Sequence, residues 1–385
     1  MLAIADTDSY LKWSAATLDA LPSSWDSVQL LIKNPVMPSV AQIQAVSNRQ
    51  VEILSHAAVK RRIRRSRPDV VLLACTGPVV AALTAQRALW SGRRAVLVTG
   101  MPGISVPATR RAVLHRAGCD LYLLHSTREI AEFAKLGARF APRLTFGLAS
   151  LPFLPVHRPE TAPGPPLGQN LIFAAQAKVP LERTQREQIV LALADAGAAV
   201  IKVRAWSQEQ QTHRETWSYP EITDRLVQRG RIAADAVGFV GGSMQDALGN
   251  ARGFVTVSST AALEAMAMNQ PVLIISDFGV SAEMINVVFA GSGCLGTLDD
   301  LRHSRLCHPT LEWRQRNYFH RPEDNDWLTR LEELLAIRAA RKLPERPRSV
   351  GSLHRRIRRR LRLTIPVGLW RRLRPIHALL LNRSR

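Results

Sequence analysis

"VTVSSTAALEAMAMNQPVLII", residues 255–275, carries the strongest structural signal in the chain. An apolar run rich in valine enters it, an alanine-rich segment follows, and a second apolar run, 271–276, leaves it. β-Branched residues favour strands and alanine favours helices, so the stretch predicts a strand, a helix and a strand. Strands joined through a helix pair in parallel, in a sheet that helices cover on both faces.

The same alternation extends through most of the chain. Further apolar runs that predict buried strands lie at 2–5, 69–75, 94–100, 120–126, 170–175, 198–205, 236–241 and 253–258. The segment 151–169 is rich in proline and glycine and interrupts the alternation, which is typical of a linker. The sequence therefore predicts an α/β protein with two Rossmann-like parallel-sheet domains.

The predicted boundaries follow from these breaks. Residues 1–155 form a first Rossmann-like domain, 156–169 the linker, 170–342 a second Rossmann-like domain, and 343–385 a basic amphipathic tail. The second domain is expected to end in a long closing helix, "DNDWLTRLEELLAIRAARK" (324–342). Ligands of such folds bind beyond the carboxyl ends of the strands, so we expect a cleft between the two domains.

Composition and charge narrow the class of protein. The 385 residues are 46% hydrophobic and carry a net charge of +21. Residues 338–385 hold sixteen Lys or Arg and one acid, a net charge of +15, so the rest of the chain carries only +6. No run of about 20 apolar residues predicts a membrane-spanning helix, and the first residues do not resemble a signal peptide. The four cysteines are scattered and predict free thiols, and we expect no metal site.

The start of the predicted helix carries the most suggestive side chains. Ser258, Ser259 and Thr260 place hydroxyls beside the free N–H groups of a helix N-terminus, which suits a phosphate. Ordinary N-capping explains one such hydroxyl equally well. Glu264 does not stand third after Ser259 or Thr260, so it fits no capping box. It is either a solvated acid near the helix dipole or an acceptor for two vicinal hydroxyls, such as a ribose diol.

Polar and glycine residues follow the other predicted strands, where a parallel sheet places its functional groups. In the first domain these residues are Asp6, Asp8, Thr76, Gly77, Gly100, Gly103 and Ser105. In the second domain they are Lys178, Arg183, Lys202, Arg204 and His213. Each polar residue also has an ordinary interpretation as a turn, a cap or a solvated side chain, and tight turns explain the glycines as well as a ligand does.

Several of these segments together resemble GT-B glycosyltransferases. "SSTAALEAMAMNQPVLI" (258–274) is similar to the nucleotide-binding segment of that superfamily and of related bacterial capsule and teichoic-acid transferases. "ADTDSYLKW", "TGMPGIS" and "KVRAWSQEQQTHRE" complete a pattern that resembles an uncharacterised group of actinobacterial glycosyltransferases. The resemblance covers roughly residues 1–340. One departure is that no His-Pro pair follows the strand ending "IKVRA", where capsule and sialyl transferases often carry one.

The resemblance implies a GT-B fold with an acceptor-binding first domain and a donor-binding second domain. It implies that hydroxyls 258–260 meet the phosphates of a nucleotide-sugar donor and that Glu264 meets the ribose. The basic residues of the second domain would neutralise the departing diphosphate, with no metal and no cofactor besides the nucleotide-sugar co-substrate. Asp6 or Asp8 is the expected general base on the acceptor hydroxyl, and His213 is the alternative. The residues after the second and third strands would form acceptor or cleft loops.

The basic tail predicts a membrane contact. "SLHRRIRRRLRL" (352–363) places Leu353, Ile357 and Leu361 four apart among arginines, a pattern that suits a helix lying on an anionic membrane surface. Nucleic acid is the rival partner, because its phosphates attract arginine equally, and a solvated tail is the third interpretation. The apolar stripe favours lipid.

Three functional hypotheses result. The first is a cytoplasmic glycosyltransferase, associated peripherally with the inner face of the plasma membrane, that moves a sugar from a nucleotide-activated donor to an envelope glycan or lipid-linked acceptor. The second is a nucleotide-sugar 2-epimerase, which shares the two-domain architecture. The third is a non-enzymatic nucleic-acid binder. The basic tail argues against the second, and the small charge of the remaining chain argues against the third.

Overall fold

The protein is described by a computed structural model that covers residues 1–34, 43, 49–86, 89–90, 93–154, 168–177, 179–203 and 216–345. The chain divides into two compact units, Met1–Pro152 together with Glu323–Arg385, and Phe153–Pro322. Each unit is built on one parallel sheet, which confirms the predicted α/β class. Most of the expected linker and nearly all of the expected basic tail lie outside the described residues.

The sheet of the first unit has seven strands in the order β3-β2-β1-β4-β5-β6-β7. Their bounds are β1 Leu2–Ala5, β2 Val28–Ile32, β3 Val51–Leu54, β4 Val70–Ala74, β5 Val96–Gly100, β6 Leu121–Leu124 and β7 Thr145–Leu148. Every residue of β1, β4, β5 and β6 is buried, which explains their continuous apolar runs. Strands β2 and β3 lie on one side of β1, and β4 to β7 lie on the other side. The strand order therefore reverses between β1 and β4, and the carboxyl ends of this pair form the topological switch point.

Helices cover both faces of this sheet. They are α1 Asp8–Asp19, α2 His56–Ser66, α3 Gly77–Thr84, α4 Arg110–Arg116 and α5 Thr127–Phe140. Neighbouring residues of one strand belong to two different apolar clusters, as Leu72 and Leu73 of β4 show, because successive side chains point to opposite faces. Hydroxyl caps begin four of these five helices, as at α1, where the Thr7 hydroxyl accepts a hydrogen bond from the backbone N–H of Tyr10.

The sheet of the second unit has six strands in the order β10-β9-β8-β11-β12-β13. Their bounds are β8 Asn170–Ala174, β9 Ala199–Lys202, β10 Val237–Val240, β11 Ala251–Thr256, β12 Val272–Ile275 and β13 Leu295–Gly296. The helices are α6 Arg183–Ala196, α7 Tyr219–Gln228, α8 Met244–Gly249, α9 Ala261–Ala267, α10 Leu298–Arg302 and α11 Leu311–Arg316. The switch point lies between β8 and β11, and the stretch 255–275 forms the end of β11, α9 and β12.

The closing helix is where the structure departs from the predicted domain division. It forms α12, Trp327–Ala339, and belongs to the first unit rather than the second. Trp327 and Leu331 are buried against the first sheet, and the Leu148 backbone N–H donates to the Asp326 carboxylate at 2.6 Å. Gly147 of β7 allows this packing, because a Cβ there would lie 3.0 Å from the Trp327 backbone. An amphipathic helix shows from sequence that it covers a sheet, but not which sheet.

The structure shows the state of the cysteines and the length of the described helices. All four cysteines are free thiols, with Cys75, Cys119 and Cys294 buried and Cys307 exposed, so the prediction of unpaired thiols is confirmed. Within the described residues, none of the helices has both the length and the apolar character needed to cross a membrane.

Candidate functional site

A hydrogen-bonded bridge crosses the switch point of the first sheet. Asp6 follows β1 and Thr76 follows β4, and these two strands are neighbours. The Asp6 carboxylate accepts the Thr76 backbone N–H at 2.9 Å and the Thr76 hydroxyl at 2.6 Å. Two residues that the sequence places 70 positions apart are thereby joined at the carboxyl edge of the sheet, as the strand-end argument predicts.

The environment of Asp6 distinguishes it from Asp8. Asp6 is 4% exposed, and burial raises the pKa of its carboxyl, while the bonds from Thr76 and the charge of Arg116 act in the opposite direction. A raised pKa makes the carboxylate a better proton acceptor near neutral pH. Asp8 lies in the first turn of α1 and is exposed, where it complements the helix dipole.

Arg116 is a buried cation beside this bridge that sequence reasoning missed. It is 3% exposed, and its Nη2 donates to the Tyr10 hydroxyl at 3.0 Å and to the Gly100 carbonyl at 3.3 Å. Its guanidinium also lies over the Tyr122 ring, 5.1 Å from the centroid. Its Nε has no hydrogen-bond partner, and no described carboxylate forms an ion pair with it. An arginine at the end of a short helix gives no sequence signal that it points inward.

Packing explains two of the three glycines that the sequence analysis assigned to loops of the first unit. A Cβ on Gly77 would overlap the His115 ring, and a Cβ on Gly100 would overlap the Trp13 ring. Gly103 has open space around its Cα, so packing places no such demand there. The side chains of neighbouring helices therefore account for two of the three glycines without a ligand.

The loop that follows β5 is held by acidic side chains of α5. Glu129 is fully buried; its Oε1 accepts the Ser105 backbone N–H at 2.7 Å and its Oε2 accepts the His125 N–H at 2.8 Å. Glu132 accepts the Ala108 N–H at 2.9 Å. The Ser105 hydroxyl donates a hydrogen bond within the loop, to the Gly103 carbonyl at 3.2 Å. The acids of "STREIAEF" (126–133) are typical of a helix start. Their bonds to the backbone of the preceding loop become visible only in the structure.

The second sheet carries a matching bridge at its own switch point. Gln176 follows β8, Ser258 follows β11, and the Ser258 hydroxyl donates to the Gln176 side-chain oxygen. Ser258 is 4% exposed, so it is not available as a spare surface donor. Ser259 caps the helix, since its hydroxyl accepts the Ala261 N–H at 3.2 Å. Thr260 alone of the three hydroxyls is exposed and makes no capping bond.

Glu264 lies in the first turn of α9 and is half-buried. No side-chain capping bond forms at Thr260, in agreement with the register argument that excludes a capping box. The structure thus brings Ser258, Ser259, Thr260 and Glu264 to the carboxyl edge at the β8–β11 switch point.

Arg186 organises the loop after β8 and was also missed from the sequence. It is 1% exposed and donates to four carbonyl oxygens: those of Gln176 (2.9 Å), Ala177 (3.1 Å), Pro180 (2.8 Å) and Trp217 (2.7 Å). The Gln176 carbonyl and the Ala177 N–H belong to one trans peptide group, in which the C=O and the N–H point in opposite directions. The bond from Arg186 to the Gln176 carbonyl therefore turns the Ala177 N–H away from Arg186. No described residue accepts a hydrogen bond from that N–H or from the Gln176 side-chain NH₂.

The basic residues predicted to meet phosphate differ in their surroundings. Lys202 is 7% exposed, its ammonium donates to the Val203 carbonyl at 2.9 Å, and burial lowers its pKa. It forms no ion pair with any described residue. Arg183 is partly exposed and pairs with Glu187 one turn along α6 at 2.7 Å, which neutralises part of its charge. Lys178, Arg204 and His213 lie outside the described residues.

The described residues offer no cluster of three or more His, Cys, Asp or Glu side chains arranged to hold a metal ion. The groups that gather at the second switch point are instead hydrogen-bond donors: the Ala177 N–H, the Gln176 amide, the Thr260 hydroxyl and the Lys202 ammonium. Such a set suits an anionic ligand. The first switch point presents a carboxylate, which suits a hydroxyl donor.

Solved structures with the same architecture support the fold. A protein from Listeria monocytogenes described as a "putative UDP-N-acetylglucosamine 2-epimerase" matches with 13% identity over 91% of this chain and 99% of its own, with a TM-score of 0.54. The UDP-GlcNAc 2-epimerase from Neisseria meningitidis bound to UDP-GlcNAc matches at 10% identity over 87% and 100%, with a TM-score of 0.52. Arabidopsis thaliana UGT89C1 matches at 10% over 88% and 98%, also with a TM-score of 0.52.

These likenesses establish the two-sheet Rossmann-like architecture of GT-B proteins, as the sequence resemblance predicted. No curated protein sequence is significantly similar to this chain. Over residues 1–334, however, the chain matches the family described as "Putative glycosyltransferase (DUF6716)", and it therefore belongs to that family.

Proposed function

We propose that the protein transfers a sugar from a nucleotide-activated donor to an acceptor hydroxyl, and that the donor binds at the β8–β11 switch point. The observation that carries this proposal is the set of donors around the Gln176–Ser258 bridge, of which the Ala177 N–H and the Gln176 amide donate to none of the described residues. They gather at the edge where α/β sheets bind nucleotides, in a chain whose family is described as glycosyltransferase. The solved neighbour bound to UDP-GlcNAc makes a UDP-sugar the first donor to test.

The donor diphosphate is assigned to the loop after β8. The Ala177 N–H, the Gln176 amide and the Thr260 hydroxyl donate hydrogen bonds to its oxygens, and Lys202 supplies positive charge. Arg186 acts as a positioning residue, because it fixes the carbonyls and so aims the N–H of the same peptide group. These groups stabilise the negative charge that develops on the leaving diphosphate, so no metal or cofactor is required for that step. Lys178, Arg183 and Arg204 supply further charge in this proposal.

The ribose is assigned to Glu264. A carboxylate accepts hydrogen bonds from two vicinal hydroxyls at once, and its position in the first turn of α9 puts it near Ser258 and Thr260 in the chain. Since Ser258 and Ser259 are used within the protein, we assign direct contact with the ligand to Thr260 and structural support to the two serines.

The acceptor is assigned to the first sheet, with Asp6 as the general base. Its raised pKa and its fixed position beside Thr76 favour it over Asp8, and His213 remains the alternative base. The loops at Gly77, Gly100, Gly103 and Ser105 would shape the acceptor side. An envelope glycan or a lipid-linked acceptor at the inner face of the plasma membrane completes the proposal, with the basic tail on the anionic lipid.

A nucleotide-sugar 2-epimerase is the second candidate, because two of the structural neighbours are described as such epimerases. That enzyme would invert the sugar at C2 with no acceptor present. Proton NMR of a UDP-sugar incubated with the protein alone separates the two candidates, since an epimerase produces the C2 epimer and a transferase leaves the donor configuration unchanged.

The donor site is tested by calorimetry with UDP-, GDP-, CMP- and dTDP-sugars. Glu264→Ala should weaken binding of the preferred donor by about 10- to 100-fold, the loss expected when a charged hydrogen-bonding group is removed. Glu221→Ala is the matched control, since Glu221 also lies in the first turn of a helix of the second unit, but it is exposed and its helix follows β9 rather than β8 or β11. The assignment fails if no nucleotide-sugar binds, or if Glu264→Ala binds as well as the control.

A further inference from the structure

The helix α2, His56–Ser66, presents an exposed surface of arginines that the donor-site proposal does not use. The segment "VKRRIRRSR" (59–67) contains Lys60, Arg61, Arg62, Arg64, Arg65 and Arg67 and no acid. Arg62 pairs with Glu52 of β3 at 3.2 Å. The other five cations form no ion pair with any described residue, so a net positive charge stays unneutralised on this helix.

The arginines point in one direction. Val59 and Ile63 are the buried residues of α2, and they attach it to the first sheet. At about 100° per residue, Arg61, Arg64 and Arg65 project from the side of the helix opposite this pair. All three are exposed, and we call them the arginine face.

Two features of α2 act against its stability, although Arg64 and Arg65 also lie in its last turn, where the helix dipole favours cations. Arg61 and Arg65 stand one turn apart, as do Lys60 and Arg64, and like charges at this spacing repel. Arg67 ends the helix with φ of 44°, a left-handed conformation that glycine adopts without strain and arginine does not. A bound anionic partner would offset the repulsion and would make the arginine at position 67 useful.

We propose that the arginine face docks on an anionic lipid surface. Its three arginines are exposed on the side of α2 opposite the buried Val59 and Ile63, and Lys60 and Arg62 beside them are half-buried, so the face is convex. A small ligand needs a concave site, which three arginines on one side of a helix do not form. Strand β3 and helix α2 carry no Phe, Tyr or Trp on which a base could stack. A second copy of the chain, with a net charge of +21, would be repelled.

The test is co-sedimentation of the full chain with phosphatidylcholine vesicles that contain or lack phosphatidylglycerol. Each arginine near an anionic surface contributes about fivefold to partitioning, so Arg61→Gln/Arg64→Gln/Arg65→Gln should weaken binding to the anionic vesicles by about a hundredfold. Glutamine keeps the helix propensity. Thermal unfolding should show no loss of stability, because the substitutions remove like-charge repulsion.

The matched control is Arg225→Gln/Arg229→Gln/Arg231→Gln, which removes three exposed charges at the end of α7 in the second unit. It should leave vesicle binding nearly unchanged, because these three charges are not part of the arginine face. The proposal is overturned if both triple variants weaken binding equally, if the α2 variant binds vesicles like wild type, or if it loses binding to a duplex oligonucleotide instead.

Arg67→Gly separates the two roles of position 67. It should raise the melting temperature by relieving the left-handed strain and weaken vesicle binding by about fivefold. A rise in stability with unchanged vesicle binding would remove Arg67 from the docking surface. The proposal does not depend on the donor site: calorimetry with the nucleotide-sugar should give the wild-type affinity in all of these variants.

Discussion

Replacing Arg186 with lysine should loosen the loop after β8 and destabilise the second unit. The guanidinium is 1% exposed and donates to the carbonyl oxygens of Gln176, Ala177, Pro180 and Trp217. A lysine presents one ammonium on a flexible stem, so it reaches one or two of these oxygens where the planar arginine reaches four. Two or three part-buried carbonyls then lose their donor.

The size of the effect follows from these bonds. A hydrogen bond from a charged donor contributes about 1.5–3 kcal/mol, and losses at one site add incompletely. The loss of two or three of them predicts that Arg186→Lys lowers the free energy of unfolding by about 3–5 kcal/mol. Since a domain has about 5–15 kcal/mol in total, the variant should stay folded in water but unfold at much lower urea.

Urea unfolding followed by circular dichroism and tryptophan fluorescence measures this change. Arg183→Lys is the control, because Arg183 lies on the same helix and makes a partly exposed pair with Glu187 that should contribute no more than about 0.5 kcal/mol. If Arg186→Lys unfolds within about 1 kcal/mol of wild type, or no differently from the control, then Arg186 does not hold this loop and the proposed aim of the Ala177 N–H has no support.

Three further predictions concern the first unit. Asp6→Asn should keep donor binding and reduce sugar transfer by about 10²-fold or more, whereas Asp8→Asn should transfer normally; steady-state kinetics with calorimetry checks this, and wild-type transfer by Asp6→Asn would limit Asp6 to holding its loop. Asp120→Asn should lower the free energy of unfolding by about 3–5 kcal/mol, because it leaves the buried Arg94 guanidinium without its two carboxylate bonds at 2.7 and 2.9 Å; a urea midpoint close to wild type would contradict this. Burial lowers the pKa of His125, so the folded state favours the neutral ring. The contribution of this preference to the free energy of unfolding is fully present above the unfolded pKa of about 6.5 and is lost as the pH falls below that value. Urea unfolding at neutral and acidic pH should therefore show a weaker loss of stability for His125→Gln than for wild type, and identical slopes would rule out this contribution.

β1, β4, β5 and β6 could be predicted from the sequence because every residue in them is buried, which gives continuous apolar runs. β2, β3, β7 and β13 were not predicted, because a polar residue or a glycine breaks each short run. Gln29 in β2 is 1% exposed, and its side chain donates to the Leu11 carbonyl and the Ser14 hydroxyl, both at 2.8 Å. Glu52 interrupts β3 and Gly147 interrupts β7. Partners on another element satisfy Gln29, and no local pattern shows them in advance.

The positions of the candidate residues at strand ends were predicted from the sequence, but their hydrogen bonds were not. Strand ends correctly placed Asp6 and Thr76 at one edge, and the hydroxyls of residues 258–260 at another, because parallel topology alone determines where strands end. Which hydroxyls are used internally depends on distances of a few tenths of an ångström. Arg116 and Arg186 were missed because arginine is a surface residue in most sequences, and only the fold shows that both point inward.

The two switch points use the same device with opposite electrostatic results. In each sheet, a residue just beyond the first strand accepts a hydrogen bond from a residue just beyond the fourth strand in chain order. Asp6 accepts from Thr76 in the first sheet, and Gln176 accepts from Ser258 in the second. The first acceptor is a carboxylate, so that edge retains a group that can take a proton from a hydroxyl. The second acceptor is a neutral amide, and the nearby cation, Arg186, donates to four carbonyl oxygens, so that edge retains N–H donors. Exchanging the two properties should separate the two functions: Gln176→Glu should abolish binding of an anionic donor by placing a negative charge among those N–H groups, while Asp6→Asn leaves donor binding intact. If Gln176→Glu binds the nucleotide-sugar as tightly as wild type, the β8–β11 edge is not the phosphate site.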